Sequence, residues 1–189
     1  MSTLPKTFLT PEQYLEIERK AEWKSEYYQG KMFAMAGASK HHNLLVANLV
    51  GELWSQLRRR NCRVYPSDMR LRVSAAGLYT YPDVSVVCGE PRFADDQGDT
   101  LLNPTFIAEV LSESTEAYDR GRKFEQFRSI ESLAQYLLVA QDRAHAELYT
   151  REAGRWMLSE ASGLEAVLEL ASIECRLSLA DLYAKVDLE

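Results

Sequence analysis

The chain has 189 residues, 46% of them hydrophobic and 26% charged, with a formal net charge of -6. That length suits one domain, residues 1–189, able to bury a core without disulfide help. No apolar run approaches a membrane span, and the opening "MSTLPKTFLTPEQ" lacks the basic segment and apolar core of a secretory signal, so a cytoplasmic location is expected. Cys62, Cys88 and Cys175 are far apart and odd in number, which fits neither a disulfide framework nor a zinc pattern and makes them small core residues. His41 and His42 adjoin while His145 is distant, unlike two histidines on one helical metal-binding face.

Thr10 with Pro11 and Gln13 has the form of an N-cap, a first-turn proline and a capping-box partner, predicting a helix over 11–23. "SEYYQGKMFAMAG" alternates around Gln29-Gly30, which predicts a hairpin with a tight turn. Ser39 can cap a longer helix through Arg60, with Val46, Leu49, Val50, Leu53 and Leu57 on one stripe. The texture then turns to strands: "CRVYP", "MRLRVS", "YPDVSVVC" and "TFIAEVLS" are short, rich in β-branched or aromatic residues and separated by turn-formers. Residues 90–103 read as a long, exposed and mobile loop. A helix over 116–130 follows "SEST", then strands "AQYLLVAQ", "AHAELYT" and "RWMLSEA", and a short helix near 179–183. Helices alternating with strands in this way predict an α/β fold, helices packed on a mixed sheet.

Charge is uneven along the chain. Residues 1–60 carry nine Lys and Arg against six Asp and Glu, and "RRRNCRVYPSDMRLR" holds six arginines to one aspartate. Arg58, Arg59 and Arg60 could track a phosphate backbone or could simply end a helix favourably against its dipole.

Strand alternation puts Asp83, Ser85 and Val87 on one face and Val84, Val86 and Cys88 on the other. It likewise separates Ile107, Glu109 and Leu111 from Phe106, Ala108 and Val110. Each strand therefore carries one carboxylate among apolar neighbours, a costly placement unless the charge is paired or metal-bound. Two such carboxylates on neighbouring strands repel each other, and a divalent cation between them relieves that repulsion. Magnesium takes carboxylate oxygens and keeps several waters, and a water activated in this way is the usual nucleophile for phosphodiester hydrolysis.

Pro82-Asp83, Glu109 within "IAEVLSEST" and then "DRGRKFEQF" resemble the Uma family of putative restriction endonucleases, within the PD-(D/E)xK nuclease superfamily. "KSEYYQGKMFAMAGASKHHNLL" and "QYLLV" extend the resemblance over roughly residues 8–150. It implies a restriction-endonuclease-like mixed β-sheet core flanked by helices. It also implies that Asp83 and Glu109 bind a magnesium ion, with manganese as a substitute, and that Lys123 is the catalytic lysine. In the commoner superfamily pattern the lysine follows the glutamate by two residues, but that position is Leu111 here, and the Uma family draws the lysine from the following helix. Glu26 corresponds to the family's N-terminal glutamate and His42 to its recurring histidine, which would contact phosphate or brace the site. Arg120, three residues before Lys123, is a further candidate for a DNA contact. Phe127 stands where the family often has tyrosine, and "SIESLAQYLL" departs from its usual glycine-containing turn.

The expected activity is metal-dependent cleavage of DNA by a homodimer, since cutting both strands of a duplex brings two sites to bear. The alternative is a catalytically inactive nucleic-acid-binding or protein-interaction module on the same fold, which the net acidity favours because nucleases gripping duplex DNA show a larger basic face.

Overall fold

In the computed structural model, which describes residues 8–188, the capping box closes as expected. Thr10 Oγ1 accepts from the Gln13 N–H and Gln13 Oε1 from the Thr10 N–H, opening α1 (Pro11–Glu18). This helix ends before the expected position 23 because Glu18 turns inward, its Oε1 accepting from the Ser25 N–H and the Tyr81 hydroxyl. β1 (Ser25–Tyr28) and β2 (Lys31–Ala34) form the expected hairpin. Gln29 and Gly30 both take positive φ (46° and 84°), the turn whose twist matches the flanking strands.

Ser39 caps α2 (Lys40–Leu57), accepting from the His42 N–H. Its buried stripe is Leu45, Leu49, Leu53 and Leu57, none more than 1% exposed, with Val46 and Val50 at the margin. The four leucines repeat every fourth residue and so form one ridge. Leu49→Ala is expected to lower stability by about 2–5 kcal/mol, read from the urea unfolding midpoint.

The chain continues through β3 (Cys62–Pro66), β4 (Arg70–Val73), β5 (Leu78–Thr80), β6 (Val84–Cys88), β7 (Thr100–Leu101) and β8 (Phe106–Val110). A continuous helical segment follows, made of α3 (Glu116–Tyr118), a widened π turn (Asp119–Lys123) and α4 (Phe124–Phe127). It stops short of 130. The remainder is β9 (Gln135–Val139), β10 (His145–Glu152), β11 (Arg155–Ser162), β12 (Val167–Leu170), a 3₁₀ turn (Ala171–Ile173), β13 (Cys175–Ser178) and α5 (Leu179–Leu182).

These strands form a six-stranded sheet in the order β11-β10-β9-β8-β6-β3, a five-stranded sheet β2-β1-β5-β4-β7, and the pair β12-β13. The large sheet is mixed, since β8 and β9 run parallel and its other pairs antiparallel. One of its faces packs on α2, α5 and the β12-β13 pair, burying Val84, Val86, Phe106, Ala108 and Val110. The other meets the small sheet and α4, burying Val87, Ile107, Leu111, Phe124 and Phe127. The expected alternation along β8 is thus the one found, with Glu109 on the side of the second core. β6, however, begins at Val84, so Asp83 precedes the strand rather than lying within it.

Two expectations are corrected. Cys62 and Cys88 are not independent core residues. The antiparallel register of β3 and β6 sets them opposite each other, where a disulfide joins them, while Cys175 is free and buried. Nor is 90–103 a loose loop. Thr100 and Leu101 are fully buried, Arg19 reaches Asp95 at 2.7 Å and Asp99 at 2.8 Å, and Arg70 reaches Asp99 at 2.7 Å. The hydrogen bond from Arg19, ahead of those from Thr100 and Arg70, holds the Asp99 carboxyl well below its usual range against the effect of burial. A depressed folded-state pKa contributes stability above the unfolded value, about 3.9, that is lost as pH falls toward the folded one. Asp99→Asn should therefore lower stability at neutral pH and flatten its decline below about pH 4, the unfolded aspartate value, as read by denaturant titration across the acid range.

Among the described residues, no helix is long and apolar enough to cross a membrane.

Candidate active site

Asp83 follows Pro82 immediately ahead of β6 and faces β8. Its N–H points at Glu109 Oε2 (3.4 Å), and its Oδ2 accepts from the Val110 N–H at 2.8 Å. The same oxygen lies 3.1 Å from His42 Nε2, delivered by the first turn of α2. Asp83 is therefore oriented by backbone and imidazole together. Among the described residues no hydrogen bond involves Asp83 Oδ1.

Glu109 and Lys123 are 4% and 5% exposed. Lys123 Nζ lies 2.7 Å from Glu109 Oε1, 3.4 Å from Asp119 Oδ1 and 3.8 Å from Glu26 Oε1. At 2.7 Å the Glu109 contact is a close, charge-assisted ion pair. Glu26 is aimed from β1 by the Thr80 hydroxyl and by Tyr118 Oη at 3.4 Å. The Tyr136 hydroxyl donates to the Asp119 carbonyl at 3.3 Å and so anchors the π turn from the sheet. The wider turn presents Asp119 and Lys123 to the same pocket, the kind of local distortion that recurs at functional sites. Phe127, fully buried, lies under the Lys123 ammonium at 5.9 Å and edge-on to Tyr136, so its departure from tyrosine concerns packing.

The electrostatics follow from three carboxylates around one ammonium, with Asp83 beside Glu109. Burial pushes the Glu109 carboxyl well above its usual range; Lys123 opposes this, and Asp83 and Asp119 add to it. Asp119 is raised as well, by burial against the pull of Lys123. For Lys123 burial works against the charge, but Glu109, Asp119 and Glu26 outweigh it and hold the ammonium protonated. Burial, then Glu26, pushes the Tyr118 hydroxyl up to about 12. An excess of buried negative charge, with Asp83 beside Glu109 and only one ammonium among them, is an environment that a divalent cation fits.

The structure thus brings Glu26, His42, Asp83, Glu109 and Lys123 together. It separates the arginines from them. Arg58, Arg59 and Arg60 lie at the opposite end of α2 from His42, about 24 Å away along the axis at 1.5 Å per residue. There Arg58 covers the Trp54 ring, and Arg60 holds the carbonyls of Ile173 and Glu174. Arg120 is engaged by Glu116 at 2.9 Å and by Glu147, so its charge is already answered. Glu147 also belongs, with His145 and Glu160, to a group whose donor atoms lie within 4.8 Å of one another.

Sequence reasoning missed Asp119, Thr80 and Tyr118. The i,i+4 spacing of Asp119 and Lys123 was readable as one helix face. Thr80 and Tyr118 reach the site through packing that no local pattern announces.

The sequence profile of the Uma2 family, described as "putative restriction endonuclease", matches residues 11–181. Two relatives from Synechocystis sp. are similar over most of both chains. The uncharacterized protein sll1609 is 40% identical over 164 residues, covering 86% of this chain and 93% of its own. The uncharacterized protein slr1290 is 35% identical over 178 residues, covering 93% and 91%. Among solved structures, a putative nuclease of DUF820 from Anabaena variabilis matches with a TM-score of 0.75 at 18% identity, over 93% of this chain and 98% of that one. The fold is therefore the nuclease-like α/β architecture, a mixed sheet flanked by helices, that the sequence resemblance implied.

Proposed function

The chain belongs to the Uma2 family of putative restriction endonucleases, and from that premise we propose that it hydrolyses DNA phosphodiester bonds with a divalent ion, magnesium or manganese, at the Asp83–Glu109–Lys123 pocket. The observation that carries this reading is the meeting of Glu109 on β8 and Asp83, just ahead of the adjacent β6, with an ammonium 2.7 Å from Glu109, supplied by a helix. Asp83 and Glu109 would hold the ion, whose chemistry is to polarise the phosphate and acidify a bound water.

The chain's own groups divide the remaining work. Lys123, protonated and fixed by three carboxylates, donates a hydrogen bond to the attacking water or to a non-bridging phosphate oxygen. The water oxygen joins phosphorus, the P–O bond to the departing sugar breaks, and a proton passes to the leaving oxygen. His42 keeps Asp83 in place through Oδ2, and Glu26 steadies the ammonium from the β1 side. Two copies of the chain would act on the two strands of a duplex, each site cutting one.

Incubating purified protein with plasmid and magnesium or manganese tests the reading; absence of cleavage, or cleavage untouched in Asp83→Ala, sinks it. Metal occupancy has a separate readout. Adding manganese to metal-free protein should raise the melting temperature, because a ligand of the folded state stabilises by mass action, and Asp83→Ala should abolish that rise. A metal-independent, salt-sensitive affinity for DNA without cleavage would instead favour the inactive binding module.

A further inference from the structure

The register of the large sheet sets Glu109, Leu138 and Glu147 in one transverse row, Glu109 beside Leu138 on β9 and Leu138 beside Glu147 on β10. Neighbours in register share a face, so Glu147 looks toward the helical segment as Glu109 does, two strand spacings or about 10 Å away. Each of these carboxylates holds one cation of the π turn. Lys123 lies 2.7 Å from Glu109, and Arg120 pairs with Glu147.

Glu147 is itself fixed. It is 9% exposed, the Tyr149 hydroxyl donates to its Oε2 at 3.4 Å, and His145 Nε2 lies 3.6 Å from its Oε1. The Tyr149 ring packs on Phe124, the residue after Lys123, with ring centres 4.4 Å apart. Two side chains from one face of β10 therefore grip the chain on both sides of Lys123, although that strand supplies none of the pocket's carboxylates. Neutralising Arg120 does not require Glu147, since Glu116 already meets the guanidinium at 2.9 Å from within the helix. What the second pair adds is a tie between helix and sheet.

The pocket's own contacts leave such a tie necessary. Glu109 fixes the ammonium only while its charge is not shared with an ion, and a lysine stem is flexible. Once the carboxylate is shared, the aim of Lys123 depends on where its backbone is held. That backbone is a π turn, a rare geometry, which the Tyr136 hydroxyl anchors at the Asp119 carbonyl and Glu147 anchors one residue later.

We propose that Glu147 and Arg120 are positioning residues: their pair ties the π turn to β10 and keeps the Lys123 ammonium aimed into the pocket while Glu109 is engaged with an ion. The proposal rests on the nuclease reading for the chemistry Lys123 performs. Both residues act through Lys123 and touch no reacting atom.

Amide hydrogen exchange tests the tie without cleavage. In chelator, full-length Glu147→Gln and Arg120→Gln should each speed exchange of the amides of residues 119–124 by about tenfold, as expected for groups in contact. The double variant should exceed neither, and the amides of β6 and β8 should keep their wild-type rates. Arg176→Gln, which breaks a 2.7 Å pair with Glu169 on the other face of the large sheet, should leave 119–124 unchanged. Plasmid cleavage is then measured where every variant is fully folded. Each single substitution should lower kcat by about 10- to 100-fold, with KM and the salt dependence of DNA affinity held at wild-type values. An Arg120 that met a phosphate directly would behave otherwise, Arg120→Gln raising KM and reducing the salt slope by about 1 while Glu147→Gln did neither. That pattern, or unchanged exchange at 119–124, overturns the proposal. Cleavage at wild-type rates in both variants removes the tie alone, and faster exchange in variants of a protein that cuts no plasmid supports the tie and removes the nuclease reading alone.

Discussion

Lys123→Met is expected to lower magnesium-dependent plasmid cleavage by about 100- to 1,000-fold, the cost of deleting one preorganised donor aimed at developing charge. Asp83→Asn should reduce it at least as far. Asp83 accepts from the Val110 N–H and contacts His42 through one oxygen only, so the asparagine can keep that geometry while losing the charge a divalent ion requires. Initial rates of supercoil loss measure both. Retention of more than about a tenth of wild-type activity in either variant would remove that residue from the chemistry, since a donor of this kind is worth at least 100-fold.

Lys123→Met should also unsettle the fold, and the two effects can be separated. Lys123 is the cation that three buried or half-buried carboxylates share. Removing one partner of a buried ion pair leaves the other uncompensated, at a cost of about 3–5 kcal/mol. In chelator, guanidinium titration of Lys123→Met should show a loss of that size. Adding Glu109→Gln should recover a large part of it, because the double variant removes the stranded charge along with its partner. Losses that simply add in the double variant would show that the two side chains do not act as a pair. Cleavage should stay absent in the stabilised double variant, which distinguishes lost chemistry from lost folding.

Much of this site was legible before the tertiary structure. Strand parity assigned Glu109 to the side of Ile107 and Leu111, and the core found there agrees. Leu111, apolar at the position where a lysine more often stands, directed attention to the helix and to Lys123. Asp119 was missed although "DRGRK" displays it at i,i+4 from Lys123, because an aspartate near a helix start reads first as a surface group. The distance of the arginines at 58–60 from the pocket was not legible: charge density is visible in sequence, but its separation from the site is set by the length of α2. The partners of Arg120 were not legible for a related reason, since Glu147 arrives from β10, far along the chain.

Elements and their faces were decided locally. The Thr10 capping box, the Gln29-Gly30 turn and the leucine ridge of α2 depend on spacing within a few residues, where hydrogen bonding and side-chain period act directly. The resemblance, too, was carried by short motifs in a fixed order. What only tertiary structure decided was adjacency across long stretches of chain. The register of β3 and β6 sets Cys62 against Cys88, Arg19 and Arg70 draw the 90–103 segment inward, and the π turn brings Asp119 and Lys123 to the same carboxylates. Each of these depends on packing between elements remote in sequence, and burial among them turns four ordinary acids and one lysine into a coupled site.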